Sequence, residues 1–162
     1  MSGRILITQG TRPFAQRVGK LLQVQYEVLF GAADEIPQVL LRTGNYMQFP
    51  QVNAAAFEHV MLRTCLDGGV DVLIPLGEQE IRALARTQQL FAEYGIAVWV
   101  PDAGHLDELG MMRNPGRHYP LLVLDRGTAV VGEQPPTLTH TMSGVFARLD
   151  SAHELAWCCI AD

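Results

Sequence analysis

A chain of 162 residues, 48% apolar and 18% charged, has the length of one ordinary domain and a composition far from that of disordered or fibrous proteins. A formal charge of -5, with eleven arginines and a single lysine scattered along the sequence, excludes the basic stripe by which proteins grip nucleic acid. Three cysteines, two of them adjacent (Cys158 and Cys159), suit neither a disulfide framework nor a metal knuckle.

The opening apolar run, Ile5 to Ile7, is too short for a signal peptide or a membrane span, so the expected setting is the reducing cytoplasm, away from any membrane. That run, from Arg4 to Thr8, reads as a strand ending at Gln9-Gly10-Thr11. An apolar stripe at Phe14, Val18, Leu21 and Leu22 then has helical spacing. Pro13 suits the first turn of that helix, with Thr11 or Arg12 at its cap. Tyr26 to Phe30 is a second strand, Ile36 to Leu41 a short helix, and Tyr46 to Phe49 a short extended piece stopped by Pro50.

Asn53 predicts the N-cap of a helix reaching Leu66, with Phe57, Val60, Met61 and Cys65 on one face and Gly68-Gly69 as a left-handed stop. Val70 to Ile74 has the continuous apolar character of a strand covered on both faces. Leu76-Gly77-Glu78 opens what reads as the longest helix, with Ile81, Leu84, Ala85, Gln88 and Phe91 inward and Gly95 at its end. Ile96 to Val100 follows as another buried strand, stopped by Pro101.

Three repeats of strand and helix predict an α/β fold: a Rossmann-like parallel sheet with flanking helices. After residue 101 the pattern changes. Asp102 to Leu109 fits a short helix, and Asn114-Pro115-Gly116 is a turn signal. Leu121 to Leu124 and Ala129 to Val131 read as a hairpin with Asp125-Arg126-Gly127 at its tip. A polar loop through Pro135-Pro136 leads to two further extended segments, Val145 to Leu149 and Glu154 to Ile160. The chain is therefore expected to be one domain, with residues 1–101 as core and residues 102–162 as a β-rich, antiparallel C-terminal extension at a sheet edge or an interface.

Ligands of open parallel sheets bind beyond the carboxyl ends of the strands, which here means the loops Gln9 to Arg12, Gly31 to Asp34, Pro75 to Glu80 and Pro101 to His105. The first loop has one glycine where a dinucleotide fingerprint needs three, so no classical NAD site and no cofactor is expected. Gly10, Thr11 and the following helix N-terminus have the chemistry to hold one anion, assisted by Arg12; a tight turn with an exposed arginine explains the same residues. Gly77 and Glu78 form the second candidate, in which Glu78 contacts a bound hydroxyl, amine or metal. First-turn acids such as Glu78 and Glu80 are also favoured by the helix dipole alone. Asp34 reads as a surface turn residue. The five histidines show no metal-ligand spacing, and Cys65 lies mid-helix on an apolar face, where an inert thiol is expected.

The segments Ile5-Leu6-Ile7-Thr8-Gln9-Gly10, Phe49-Pro50, Gly69-Val70-Asp71-Val72-Leu73-Ile74-Pro75-Leu76-Gly77-Glu78 and Gly95-Ile96-Ala97-Val98 resemble the domain that precedes the catalytic lobes of ATP-grasp enzymes of the carbamoyl-phosphate-synthase-like kind. The resemblance spans about the first hundred residues. It implies a Rossmann-like lobe that helps wall an active site and often a dimer interface, without the lobes that hold ATP. Gly10-Thr11-Arg12-Pro13 is also similar to the start of UDP-sugar 2-epimerases, over four residues only.

Two functions are expected from this. One is a non-catalytic module for small-ligand binding or assembly, a homo-oligomer (a dimer in the first instance) or the partner of a separate ATP-grasp enzyme. The other is a small enzyme or sensor for a nucleotide or amino-acid-like ligand, with Arg12 binding an anion and Glu78 acting as acid or base. A paired nucleophile and base is missing from the sequence.

Overall fold

The computed structural model describes residues 3–135, 142–149 and 154–161; Pro136, His140 and His153 fall outside them. Strand β1 (Arg4–Ile7) leads through a turn at Gln9, whose φ of 56° is left-handed, into helix α1 (Pro13–Leu22). Pro13 starts that helix as its sequence position predicts. Its buried face is Phe14, Ala15, Val18, Gly19 and Leu22, whereas Leu21, placed on that stripe by spacing, is 38% exposed.

Then come β2 (Glu27–Ala32), α2 (Gln38–Leu41) and β3 (Tyr46–Gln48). Helix α3 spans Phe57–Asp67, and Asn53 is not its cap. The chain turns through residues 52–56, and Ala56, in the left-handed region at φ 58°, is the residue from which the helix departs. The buried face of α3 is Phe57, Met61, Leu62 and Cys65; Val60 is turned toward solvent.

After β4 (Val72–Ile74), the expected longest helix is two short ones, α4 (Glu78–Ala85) and α5 (Gln88–Ala92). The break at Arg86-Thr87 lets Thr87 hydroxyl bond back to the Ala83 carbonyl at 3.3 Å, the competition with the helix ladder that threonine offers. β5 (Ala97–Val98) and α6 (Ala103–Glu108) follow. Strands β1 to β5 form an all-parallel sheet in the order β3-β2-β1-β4-β5, the doubly wound arrangement that the strand-helix alternation predicts.

The remaining strands are β6 (Gly110–Arg113), β7 (Leu121–Asp125), β8 (Thr128–Val131), β9 (Gly144–Arg148) and β10 (Leu155–Cys159). They make a second five-stranded sheet, ordered β6-β10-β9-β7-β8. The C-terminal segment is thus a sheet in its own right rather than strands added to the edge of the first. It is mostly antiparallel, but β6 and β10 run parallel. The β7–β8 hairpin turns at Arg126 (φ 47°) and Gly127 (φ 87°), two consecutive left-handed residues that match the twist of the paired strands.

Two apolar layers run unbroken across both sheets. On one side Leu6 and Leu73 of the first sheet pack with Phe57, Met61, Ile81 and Phe91 of the helices and with Phe146 and Trp157 of the second sheet. On the other, Ile5, Ile7 and Ile74 pack with Phe14, Val18 and Leu22 of α1 and with Val123, Val145 and Cys158. Trp157 is fully buried, donates its indole N–H to the Leu106 carbonyl at 3.2 Å, and lies under the Arg82 guanidinium at 5.4 Å. Among the described residues no helix is long and apolar enough to cross a membrane.

Candidate functional site

In a sheet ordered β3-β2-β1-β4-β5 the direction of strand addition reverses between β1 and β4, and the crevice beyond their carboxyl ends is where ligands of doubly wound folds bind. Thr8, Gln9 and Gly10 leave β1 there, and Pro75, Leu76 and Gly77 leave β4. A side-chain carbon placed on Gly77 would lie 2.8 Å from the Gln9 amide nitrogen, so the two predicted loops meet at that pair.

A buried polar cluster holds them together. The Thr8 hydroxyl donates to Glu80 Oε1 at 2.7 Å and accepts from the Leu76 N–H at 2.8 Å. The same Glu80 oxygen accepts from the Gly77 N–H at 3.1 Å, the N3 half of a capping box. Glu80 is 2% exposed and Thr8 fully buried. The sequence points to Glu80 only as a first-turn acid. With glycine at the cap, the Ser/Thr-x-x-Glu signature that would have marked the bond is missing.

The β4 side of the crevice is bridged by the chain's own C-terminal segment. Ile160, just beyond β10, donates its N–H to the Leu76 carbonyl at 2.7 Å, and its carbonyl accepts from the Glu78 N–H at 3.2 Å, forming a parallel bridge opposite Gly77. Its side chain is 1% exposed. The first amide of α4, which a strand-end anion would use, is therefore bonded within the protein.

Glu78 itself is engaged in ion pairs. Arg113 Nε donates to its Oε1 at 2.9 Å, and Arg82 approaches Oε2 at 3.5 Å. The hydrogen bond from Arg113 holds the Glu78 carboxyl below the usual range, outweighing the opposing effect of burial, and the charges of Arg113 and Arg82 add to it. A carboxylate so paired is anchored rather than poised to take up a proton at neutral pH.

The other predicted residues lie on the β1–α1 turn. The Gly10 N–H donates to the Gly31 carbonyl at 2.8 Å and the Gly10 carbonyl accepts from Gln16 at 2.6 Å. A side chain on Gly10 would collide with Phe30, so this glycine serves the approach of α1's turn to β2. Thr11 and Arg12 are exposed, and Arg12 is 3.8 Å from Asp34 in a pair open to solvent on both sides. The structure brings Gly77 and Glu78 together with Ile160 and Arg113, leaves Thr11 exposed, and places Arg12 on the wall of a neighbouring hollow.

That hollow is a cleft of about 1030 Å³ between α1 and the turn at residues 114–117, with Ile160 also on its wall. Arg12, Arg17, Lys20 and Arg117 line it, together with Gln16, Gln23 and Asn114. The sequence carried this signal only as polar positions 16, 17, 20 and 23, one face of a helix; that the 114–117 turn would pack opposite them was not legible.

Cys65 and Cys158 are buried, and burial pushes both thiols up to about 12, so neither is a thiolate nucleophile at neutral pH. Among the described residues no group of three or more His, Cys, Asp or Glu side chains is placed to hold a metal ion.

Fold and site together define an α/β protein of Rossmann-like topology with a second, mostly antiparallel sheet, in which the residue just beyond β10 bridges to the end of β4. Compared with known proteins, the chain matches no family model and no curated protein.

Proposed function

We propose that this chain is a non-catalytic binding or assembly module built on a pre-ATP-grasp-like core. The observation that carries the reading is the Ile160 bridge to Leu76 and Glu78, which covers the β4 side of the crevice a doubly wound enzyme would offer to its substrate. Glu78, the candidate acid or base at that crevice, is tied to Arg113 and Arg82. The resemblance of residues 1–101 to the lobe that precedes ATP-grasp catalytic lobes supports an accessory role, as partner of a separate ATP-grasp enzyme or as a homodimer.

The test is a thermal-shift screen with ATP, amino acids and phosphorylated metabolites, alongside turnover assays and the mass of the protein in solution. The reading expects saturable stabilisation without turnover, or a mass above that of one chain. Turnover of a nucleotide or amino-acid-like substrate that is abolished in Glu78→Gln would replace it with the enzyme reading.

A further inference from the structure

We propose that the cleft between α1 and the 114–117 turn is a binding site for a small molecule bearing two or more phosphate charges; the inference rests on the reading of the chain as a binding module.

Four cations, Arg12, Arg17, Lys20 and Arg117, line one hollow in a protein whose net charge is -5, and among the described residues no Asp or Glu lines it with them. Among the described residues no carboxylate lies within 4.0 Å of the Lys20 or Arg117 head groups; the only ion pair the lining makes is that of Arg12 with Asp34, at 3.8 Å. Arg17 and Lys20 stand one helical turn apart, where like charges repel. A bound polyanion would turn that repulsion into attraction.

Arg17 is fixed as a strut. It donates to the carbonyls of Gly116 at 3.1 Å and Tyr119 at 2.6 Å, with longer bonds of 3.5 Å to Pro115 and Arg117. Its charge stays at the cleft while its donors hold the far wall in place, so the two walls are pre-organised before any ligand arrives. Arg12, Lys20 and Arg117 retain donors to offer, and the amide of Asn114 adds a neutral one, whereas the Gln16 amide is spent on the Gly10 carbonyl and the Tyr46 hydroxyl. The N-terminus of α1, also on the wall, has no side-chain cap and no acid in its first turn, which adds positive potential.

The donor set also chooses among anions. A described lining without a carboxylate gives no counter-charge to the ammonium of an amino acid, and four cations over-neutralise a single carboxylate. Phosphate groups carry the multiple charges and acceptor oxygens that match forked and rotatable donors. A volume of about 1030 Å³ is the size of sites that hold metabolite-sized ligands.

The experiment is thermal unfolding and titration calorimetry of the full chain with inorganic phosphate, pyrophosphate and tripolyphosphate, against sodium chloride of equal ionic strength and against glutamate. Pyrophosphate and tripolyphosphate should raise Tm saturably, by about 5–10 °C at a hundredfold excess over Kd, and glutamate should not. Arg12→Gln, Lys20→Gln and Arg117→Gln should each weaken binding roughly tenfold, and Arg63→Gln, on an exposed part of α3, should not. No saturable shift with any of the three phosphates overturns the proposal, as does a shift retained in the triple variant. If another ligand class stabilises the protein while the phosphates do not, this site falls and the binding-module reading stands. Glu78-dependent turnover would remove that reading even where pyrophosphate still binds in the cleft.

Discussion

Ile160 and Glu78 are joined backbone to backbone, the carbonyl of the first accepting from the N–H of the second at 3.2 Å, across a separation of more than eighty residues. The bond, with its companion to Leu76 at 2.7 Å, is the seam between the parallel sheet and the second sheet. It puts the Ile160 backbone across the carboxyl end of β4.

Ile160→Ala tests the packing at that seam. The side chain is 1% exposed and belongs to the apolar layer of Ile5, Ile74 and Leu76, so truncation should cost about 2–4 kcal/mol. Urea unfolding monitored by tryptophan fluorescence reads this as a lowered midpoint at unchanged slope. A loss below about 0.5 kcal/mol would mean that the segment is not seated in the core.

Thr8→Val keeps the shape of a buried residue and removes its hydroxyl. Leu76 N–H then loses its acceptor, and Glu80 loses a donor at 2.7 Å. A cost of about 1–3 kcal/mol is expected, measured by the same unfolding experiment. An unchanged stability would show that the Thr8–Glu80 contact contributes nothing to holding the two strand ends.

Gly10→Ala should destabilise by about 1–3 kcal/mol through overpacking, because the added carbon would sit 2.5 Å from Phe30 Cβ and 3.0 Å from the Gly31 nitrogen. Both neighbours belong to the fixed frame of β2 and cannot swing away. Were Gly10 required only for anion binding, the alanine variant would instead keep its stability.

Acid titration addresses Glu78. Its carboxyl titrates lower in the folded protein than in the unfolded chain, so as pH falls the unfolded state takes up the proton first. The stabilisation is present above the ordinary carboxylate range and is lost as pH drops through the folded-state value. Glu78→Gln should therefore cost about 1 kcal/mol at neutral pH, with Arg113 largely solvated, and the difference from wild type should vanish in acid. A pH-independent difference would assign the effect to packing.

Much of the parallel sheet was legible because its signals are local. Pro13, the buried run Val72-Leu73-Ile74 and the left-handed glycines Gly69 and Gly95 each announce themselves within a few residues. Asn53 misled because a good cap residue says nothing about the turn that actually precedes a helix, here one ending at a left-handed Ala56. The helix from Glu78 to Ala92 reads as continuous in its apolar spacing, and its break at Arg86-Thr87 lies on the half-exposed side where spacing carries no information.

The second sheet was harder for a different reason. β6 pairs in parallel with β10, matching Met111 to Trp157, and nothing near Gly110-Met111-Met112-Arg113 marks a partner so distant in sequence. The same holds for the site. Gly77 and Glu78 were visible at a strand end, but their partners Ile160 and Arg113 come from the extension. Likewise Arg17 reads as a surface arginine until the fold carries the 115–119 turn to it.

Native-state hydrogen exchange at the amides of Ile160 and Glu78 tests the closed crevice most directly. Both N–H groups are bonded across the seam, so both should exchange only through large-scale opening, with protection near that of the Leu73 amide in the centre of β4. Exchange of either amide at the rate of an exposed loop would contradict the account, since the crevice would then be open to a ligand.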